Sequence, residues 1–202
     1  MDAPQADHVQ PEMIGLDPRQ LEKAYRLLED LTRSGRIPSA TLCVGRRGGV
    51  VPPRAFGALR LGPGTARAAP DSLFLIASIT KPVTVTAVMM LVERGLVTLD
   101  DRVSDHVPDF ARGGKSEVRL RHLMTHTSGL PDMVPNNREL RMAHAPFSAF
   151  VEAINGLTLS FAPGTSVSYQ SAGIAMLAEV VHQVSGVTLP EFLRREVFDP
   201  LG

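Results

Sequence analysis

An α/β (α+β) fold, mostly helical, with a short antiparallel pair of strands near the N-terminus, is what these 202 residues predict. Three observations carry it. Residues 39–44 form a continuous apolar run followed by a Gly48-Gly49 turn and a second run at Val50-Val51. From Leu73 onward the apolar segments lengthen and take helical spacing. Apolar residues make up 44% of the chain, enough for a real core.

The elements follow in order. Residues 1–16 read as a polar tail. Asp17-Pro18-Arg19-Gln20 opens a helix, with Asp as N-cap, Pro at the first helical position and Gln two further on. Leu21, Tyr25, Leu28 and Leu31 supply its apolar stripe, and Gly35 is its stop. Residues 39–44 read as a buried strand. The second strand starts near Val50 and is interrupted by Pro52-Pro53, because proline has no N–H to give a ladder. Residues 55–61 continue it, and 62–70 form a loop. Residues 79–94 are apolar almost throughout and end at Gly95, the pattern of a buried helix with its methionines as core filler. Further helices fit 119–126, 147–155, 171–185 and 189–197, the last opened by the capping-box pattern Thr188-Leu189-Pro190-Glu191.

Composition excludes several classes. Lys plus Arg equals Asp plus Glu at 21 each, so no net field favours nucleic acid or an anionic membrane. No stretch approaches the roughly 20 apolar residues of a membrane span. Cys43 is the single cysteine, so there is no disulfide framework; its apolar setting marks it as a buried small hydrophobe. The first residues carry no basic or apolar leader pattern, so a soluble, cytoplasmic protein is expected.

The chemistry starts at Ser78-Ile79-Thr80-Lys81. Residues three apart on a helix are neighbours, roughly 5–6 Å between Cβ atoms. A serine hydroxyl is a weak nucleophile until an adjacent group takes its proton. Pro82 is tolerated only in a first helical turn, which puts Ser78 at the N-terminal end, where free N–H groups favour negative charge. The apolar run Leu73-Phe74-Leu75-Ile76-Ala77 on one side and the apolar helix on the other are expected to desolvate Lys81, making it a better base. With 13 Ser and 3 Lys in the chain, one Ser-x-x-Lys is mildly surprising and no more. Tyr169 adds to it: a phenol near an ammonium has its anion favoured and can shuttle a proton. On spacing alone the preferred reading of Tyr169 is a buried aromatic with its hydroxyl satisfied locally. His122 and His126 have the i, i+4 spacing of two metal ligands, but no glutamate follows the first and no third ligand suggests itself. No metal and no cofactor are called for.

Five segments then bring a resemblance. They are Ser78-Ile79-Thr80-Lys81-Pro82; Glu93-Arg94-Gly95-Leu96-Val97-Thr98-Leu99-Asp100-Asp101; Arg119-Leu120-Arg121-His122-Leu123-Met124-Thr125-His126-Thr127-Ser128-Gly129-Leu130; Pro163-Gly164-Thr165 with Tyr169-Gln170-Ser171; and Val197-Phe198-Asp199-Pro200-Leu201-Gly202. In order and spacing, over roughly residues 20–202, the chain resembles the serine β-lactamase and penicillin-binding-protein superfamily, in the branch of class C β-lactamases and family VIII carboxylesterases. The resemblance implies a β-lactamase/transpeptidase-like fold. In it residues 17–202 are the N-terminal portion of a serine hydrolase domain: helix and sheet strands over 17–72, and a mainly helical part with the active-site motifs over 73–202. It implies that Ser78 is the acylated nucleophile, that Lys81 and Tyr169 share the general-base and general-acid duties, and that the Ser78 N–H is one oxyanion donor. The implied partners are small-molecule ester, amide or β-lactam substrates. The His122–His126 segment is implied to shape the loop beside the site.

Two departures refine this. Where the family usually carries Tyr-x-Asn, the third position is Ser171, which keeps a hydroxyl for the substrate but loses the two-sided amide; simple esters or acyl thioesters are favoured over β-lactams. The family also continues into further strands and a Lys-Thr-Gly or His-x-Gly motif, and neither string follows Tyr169 here. The reading is a serine hydrolase of esterase or β-lactamase type with the C-terminal strands missing; the alternative is a catalytically weak β-lactamase-like fragment that binds acyl ligands or a partner.

Overall fold

The computed structural model describes residues 8–201; residues 1–7 of the expected tail and Gly202 lie outside them. The described residues fall into two compact units divided between Leu75 and Ile76.

The first unit is one helix on one hairpin. Helix α1 (Pro18–Arg33) starts where Asp17 Oδ1 accepts the Arg19 N–H at 2.8 Å. Strands β1 (Ser39–Arg46) and β2 (Gly49–Gly57) pair antiparallel. Tyr25 is the buried anchor of α1, 5.9 Å from the Phe56 ring and under the Arg54 guanidinium at 4.2 Å. The register runs Leu42↔Arg54 and then Val44↔Val51, so Pro52 and Pro53 stand opposite Cys43 alone. Two residues without N–H groups cannot continue the ladder, and a bulge absorbs them. β2 stops at Gly57 rather than near 61: its φ of +77° suits glycine, and an added Cβ would meet Pro38 O at 2.2 Å. Cys43 is exposed, not buried. Strand alternation puts it on the face opposite half-buried Leu42 and Val44. The ordered chain also reaches further back than a tail from 1 to 16 would have it. The Val9 N–H donates to Val50 O at 2.9 Å, and Ile14 is buried at the end of a 3₁₀ turn, Pro11–Ile14.

The second unit is helical. α2 (Thr80–Glu93) packs against α7 (Ala172–Ser185) and α8 (Leu189–Leu193). Between them in sequence come α3 (Val103–His106), α4 (Leu120–Met124), α5 (Asn137–Met142) and α6 (Phe147–Asn155). Ala87, Val88 and Leu91 of α2 meet Met176, Leu177, Val180 and Val181 of α7 and Phe192 of α8 in one core with Phe110, Leu120 and Leu123. α2 is buried on one side only: Met89 is 42% exposed, so the all-round burial expected from its composition does not hold. Leu73 and Leu75, in the apolar run expected to help desolvate Lys81, lie in irregular chain and are fully exposed. α8 is shorter than 189–197 and passes into a π turn, Arg194–Phe198. Thr188 is its N-cap but makes no side-chain bond, so the capping box is unformed.

Lys115 is the chief surprise of this core. It is fully buried, and its ammonium donates to Arg112 O at 2.5 Å, to Asn155 O at 2.9 Å and to Leu157 O. Three carbonyls replace the water that the cation loses, while burial holds its pKa below the ordinary lysine value. The cation ties the 3₁₀ segment Pro108–Gly114 to the end of α6.

Candidate active site

Ser78 sits in a 3₁₀ turn, Ala77–Ile79, that runs directly into α2. Ala77 has φ +46°, a left-handed conformation that a residue with a Cβ adopts at a cost. The helix starts where Pro82 requires: its missing N–H falls in the first turn, where no intrahelical acceptor awaits it. Lys81 follows one turn after Ser78, and its Nζ donates to Ser78 Oγ at 3.3 Å.

Tyr169 comes from 91 residues further along. Its hydroxyl donates to Ser78 Oγ at 2.7 Å, and the Lys81 ammonium lies 4.8 Å from its ring centroid. The neighbouring Lys81 donor, and then the Ser78 hydroxyl, hold the Tyr169 pKa below the ordinary tyrosine value; Asp132 opposes them. Three residue types picked from the sequence therefore meet at one oxygen. Tyr169 is half-exposed rather than the buried aromatic of the competing reading, and Lys81 is half-buried rather than enclosed.

Ser171 is near but used differently. Its N–H donates to Asp132 Oδ1 at 2.7 Å and to Asp132 O at 3.0 Å, and the Ala172 N–H reaches the same carbonyl at 2.8 Å. Asp132 thus caps α7. The Ser171 hydroxyl makes no hydrogen bond with Ser78, Lys81 or Tyr169.

The segment from His126 to Leu130 explains how Tyr169 is held. His126 O accepts the Ser168 N–H at 2.9 Å, and His126 Nδ1 accepts the Gln170 N–H at 3.3 Å. One residue therefore grips both chain neighbours of Tyr169, and its own ring lies 4.8 Å from the Tyr169 ring. Burial first, then the Lys81 charge, lowers the His126 pKa, with Asp132 opposing. Gln170 is fully buried and accepts from Ser128 Oγ at 2.6 Å, and Ser128 Oγ in turn accepts the Leu130 N–H at 3.1 Å. Gly129 has φ +84°, and an added Cβ would meet Phe161 O at 2.2 Å. His122 does separate work: its Nδ1 accepts the Arg119 N–H at 3.1 Å and closes the first turn of α4. The two rings share a helical spacing in sequence but not a site, because α4 ends at Met124 and His126 has φ +61°. The resemblance implied that the His122–His126 segment shapes the loop beside the site, and His126 holds the chain on both sides of Tyr169; Gln170 and Asp132 were not picked out as supports.

A lysine and a tyrosine thus converge on the oxygen of a serine at the mouth of a buried-faced helix. The Beta-lactamase family profile matches residues 24–202, and the chain belongs to that family. It is 30% identical over 213 residues to the esterase EstB of Burkholderia gladioli, covering 98% of this chain and 54% of that protein. It is 31% identical over 142 residues to penicillin-binding protein 4* of Bacillus subtilis, covering 65% of this chain and 30% of that protein. Among solved structures, EstCE1, described as a hydrolase with promiscuous acyltransferase activity, superposes with a TM-score of 0.76 at 26% identity, over 91% of this chain and 52% of that one. The chain thus spans between about a third and about half of the length of these relatives. Among the described residues no single helix is long and apolar enough to cross a membrane.

Proposed function

We propose that Ser78 is the nucleophile of a serine hydrolase that works through an acyl-enzyme, with esters as its preferred substrates. The observation that carries this reading is the convergence of Tyr169 Oη and Lys81 Nζ on Ser78 Oγ, at 2.7 and 3.3 Å. The shorter bond and the lowered pKa favour Tyr169 as the first base. In its phenolate form the hydrogen bond reverses, and Ser78 donates. Oγ then bonds to the acyl carbon, and the proton passes from Tyr169 to the alkoxide as the ester C–O bond breaks. Lys81 stabilises the phenolate throughout. Water repeats the sequence on the acyl-enzyme and releases the acid; an alcohol in its place gives acyl transfer. The Ser78 N–H, at the start of the helical turn, is one donor to the oxyanion. Serine at position 171 favours esters over β-lactams, since it lacks the amide that can donate and accept at once. The relatives named as an esterase and as a hydrolase with acyltransferase activity support this reading.

The test is intact-mass analysis of the 202-residue chain after incubation with a p-nitrophenyl ester, a fluorophosphonate and a penicillin. One adduct per chain at Ser78, absent in Ser78→Ala, is the expected result. A folded chain with no adduct from any of the three overturns it and leaves the acyl-binding fragment as the reading.

A further inference from the structure

Beside Ser171 the second unit opens into a cavity of about 270 Å³. Its lining includes Asp132 and Ser171, the pair that caps α7 two residues beyond Tyr169. Two residues of chain span at most about 7 Å, so this part of the lining lies within one substituent's length of the Tyr169 backbone. Its walls come from Val134, Phe147, Phe150, Ile154 and Ala175, and they are mostly apolar. Asn137 and Arg141 form the polar rim, with Arg141 Nε donating to Asn137 Oδ1 at 3.2 Å.

An apolar cavity of about 150 Å³ is already enough for a benzene ring, so this one has room for a ring and a few linking carbons. At one end its lining carries a hydroxyl and a carboxylate, and the carboxylate is already engaged by the Ser171 N–H. An anionic group entering at that end would face Asp132, whereas an apolar one meets aromatic walls.

We infer that this pocket receives an apolar arm of the ester, ring-sized or short and branched, and that it sets the chain-length preference of the site. The inference rests on the acyl-serine reading for its catalytic meaning, but the pocket can be tested without it. A pocket of this depth gains about tenfold or more in kcat/KM for a well-placed apolar extension.

Two readouts test it on the 202-residue chain. The first compares kcat/KM for p-nitrophenyl acetate and p-nitrophenyl phenylacetate, which vary the acyl arm, and for ethyl acetate and 4-phenylbutyl acetate, which vary the alcohol arm. The ratio of long to short arm is expected to exceed about ten in one series and to collapse in Ala175→Leu, which fills the cavity from α7 with a good helix former. The series that responds identifies the arm. The second readout uses Ser78→Ala, which cannot be acylated, and follows the amide resonances of Ala172 and Ala175 during titration with p-nitrophenyl phenylacetate. Saturable shifts at both, absent with ethyl acetate and absent when Ala175→Leu is added, support the pocket even if the wild-type chain turns nothing over. Shifts elsewhere only, or a length preference that survives Ala175→Leu in both series, overturn it.

Discussion

The His126 imidazole accepts the Gln170 N–H through Nδ1 and lies 4.8 Å from the Tyr169 ring, so one side chain both fixes the backbone after the tyrosine and covers its face. That geometry needs a neutral ring, since a protonated Nδ1 is a donor. Burial and the Lys81 charge already hold the His126 pKa below the ordinary value of 6.5, and burial with two arginines does the same for His122. Groups whose folded pKa is depressed contribute stability above the unfolded value and lose it as pH falls through the folded one. Thermal stability is therefore expected to fall on acidification below about pH 6.5. Ester turnover falls with it, as Tyr169 loses its support. In His126→Asn, whose side-chain oxygen can still accept an N–H but does not titrate, the acid limb of kcat/KM should flatten; an unchanged limb would show that His126 is not its source.

Tyr169 and Lys81 serve one oxygen, but their losses should differ. Tyr169→Phe keeps the ring against His126 and removes only the donor to Ser78 Oγ. Loss of a positioned general base is expected to slow acylation by on the order of 10²–10⁴. Lys81→Met should leave Tyr169 in place and move the rise of acylation with pH to higher pH, because the phenolate is the acting base and the ammonium is the foremost group lowering its pKa. Stopped-flow acylation across pH separates the two: a parallel loss with no shift in Lys81→Met would mean that the lysine does not act through the phenol.

How much of this was legible in the sequence follows from what each residue needs. Ser78, Lys81 and the N-cap Asp17 act within one helical turn, so spacing and a proline located them. Tyr169 meets Ser78 across 91 residues, and only the family resemblance linked them. Lys115 was opaque, because its partners are backbone carbonyls that no residue pattern marks. Short helices such as α3 and α5, of four and six residues, have too few turns for periodicity to register. The exposed Cys43 was misjudged because an apolar run does not say which face of a hairpin is covered.

Gly129 should be as demanding as any catalytic position. Its φ of +84° and the Phe161 carbonyl leave no place for a methyl group. Gly129→Ala is expected to destabilise by about 1–3 kcal/mol for the backbone alone, and the clash adds to that. The Phe161 chain leads on to Tyr169, so the fluorophosphonate labelling rate should drop more than the urea midpoint alone would explain. A variant with wild-type labelling and stability would show that the two segments are not held as described.

Removing the buried cation should be costly although its own desolvation is unfavourable. Lys115→Met fills similar volume but leaves the carbonyls of Arg112, Asn155 and Leu157 without their donor. Leaving buried acceptors without their donor costs about 1–3 kcal/mol. Urea unfolding followed by far-UV circular dichroism measures it. A loss of under about 1 kcal/mol would mean that water or the orphaned Asn155 Oδ1 environment re-satisfies those carbonyls.

The proposed function gives position 171 a part in the choice between esters and β-lactams, and the fold allows it to be exchanged. Ser171 is the N-cap of α7, yet its side chain makes no cap bond, and asparagine is as good an N-cap as serine. Ser171→Asn should therefore leave the thermal midpoint within about 0.5 kcal/mol of the parent. What changes is the chemistry offered to a substrate. The amide adds a donor pair and an acceptor where the hydroxyl had one rotatable proton, which suits a β-lactam side-chain amide. It also narrows the cavity beside Asp132. Both effects push the same way, so the ratio of penicillin to phenylacetate-ester acylation should rise about tenfold or more. If the ratio stays flat while the variant folds, Ser171 does not discriminate between the two substrate classes.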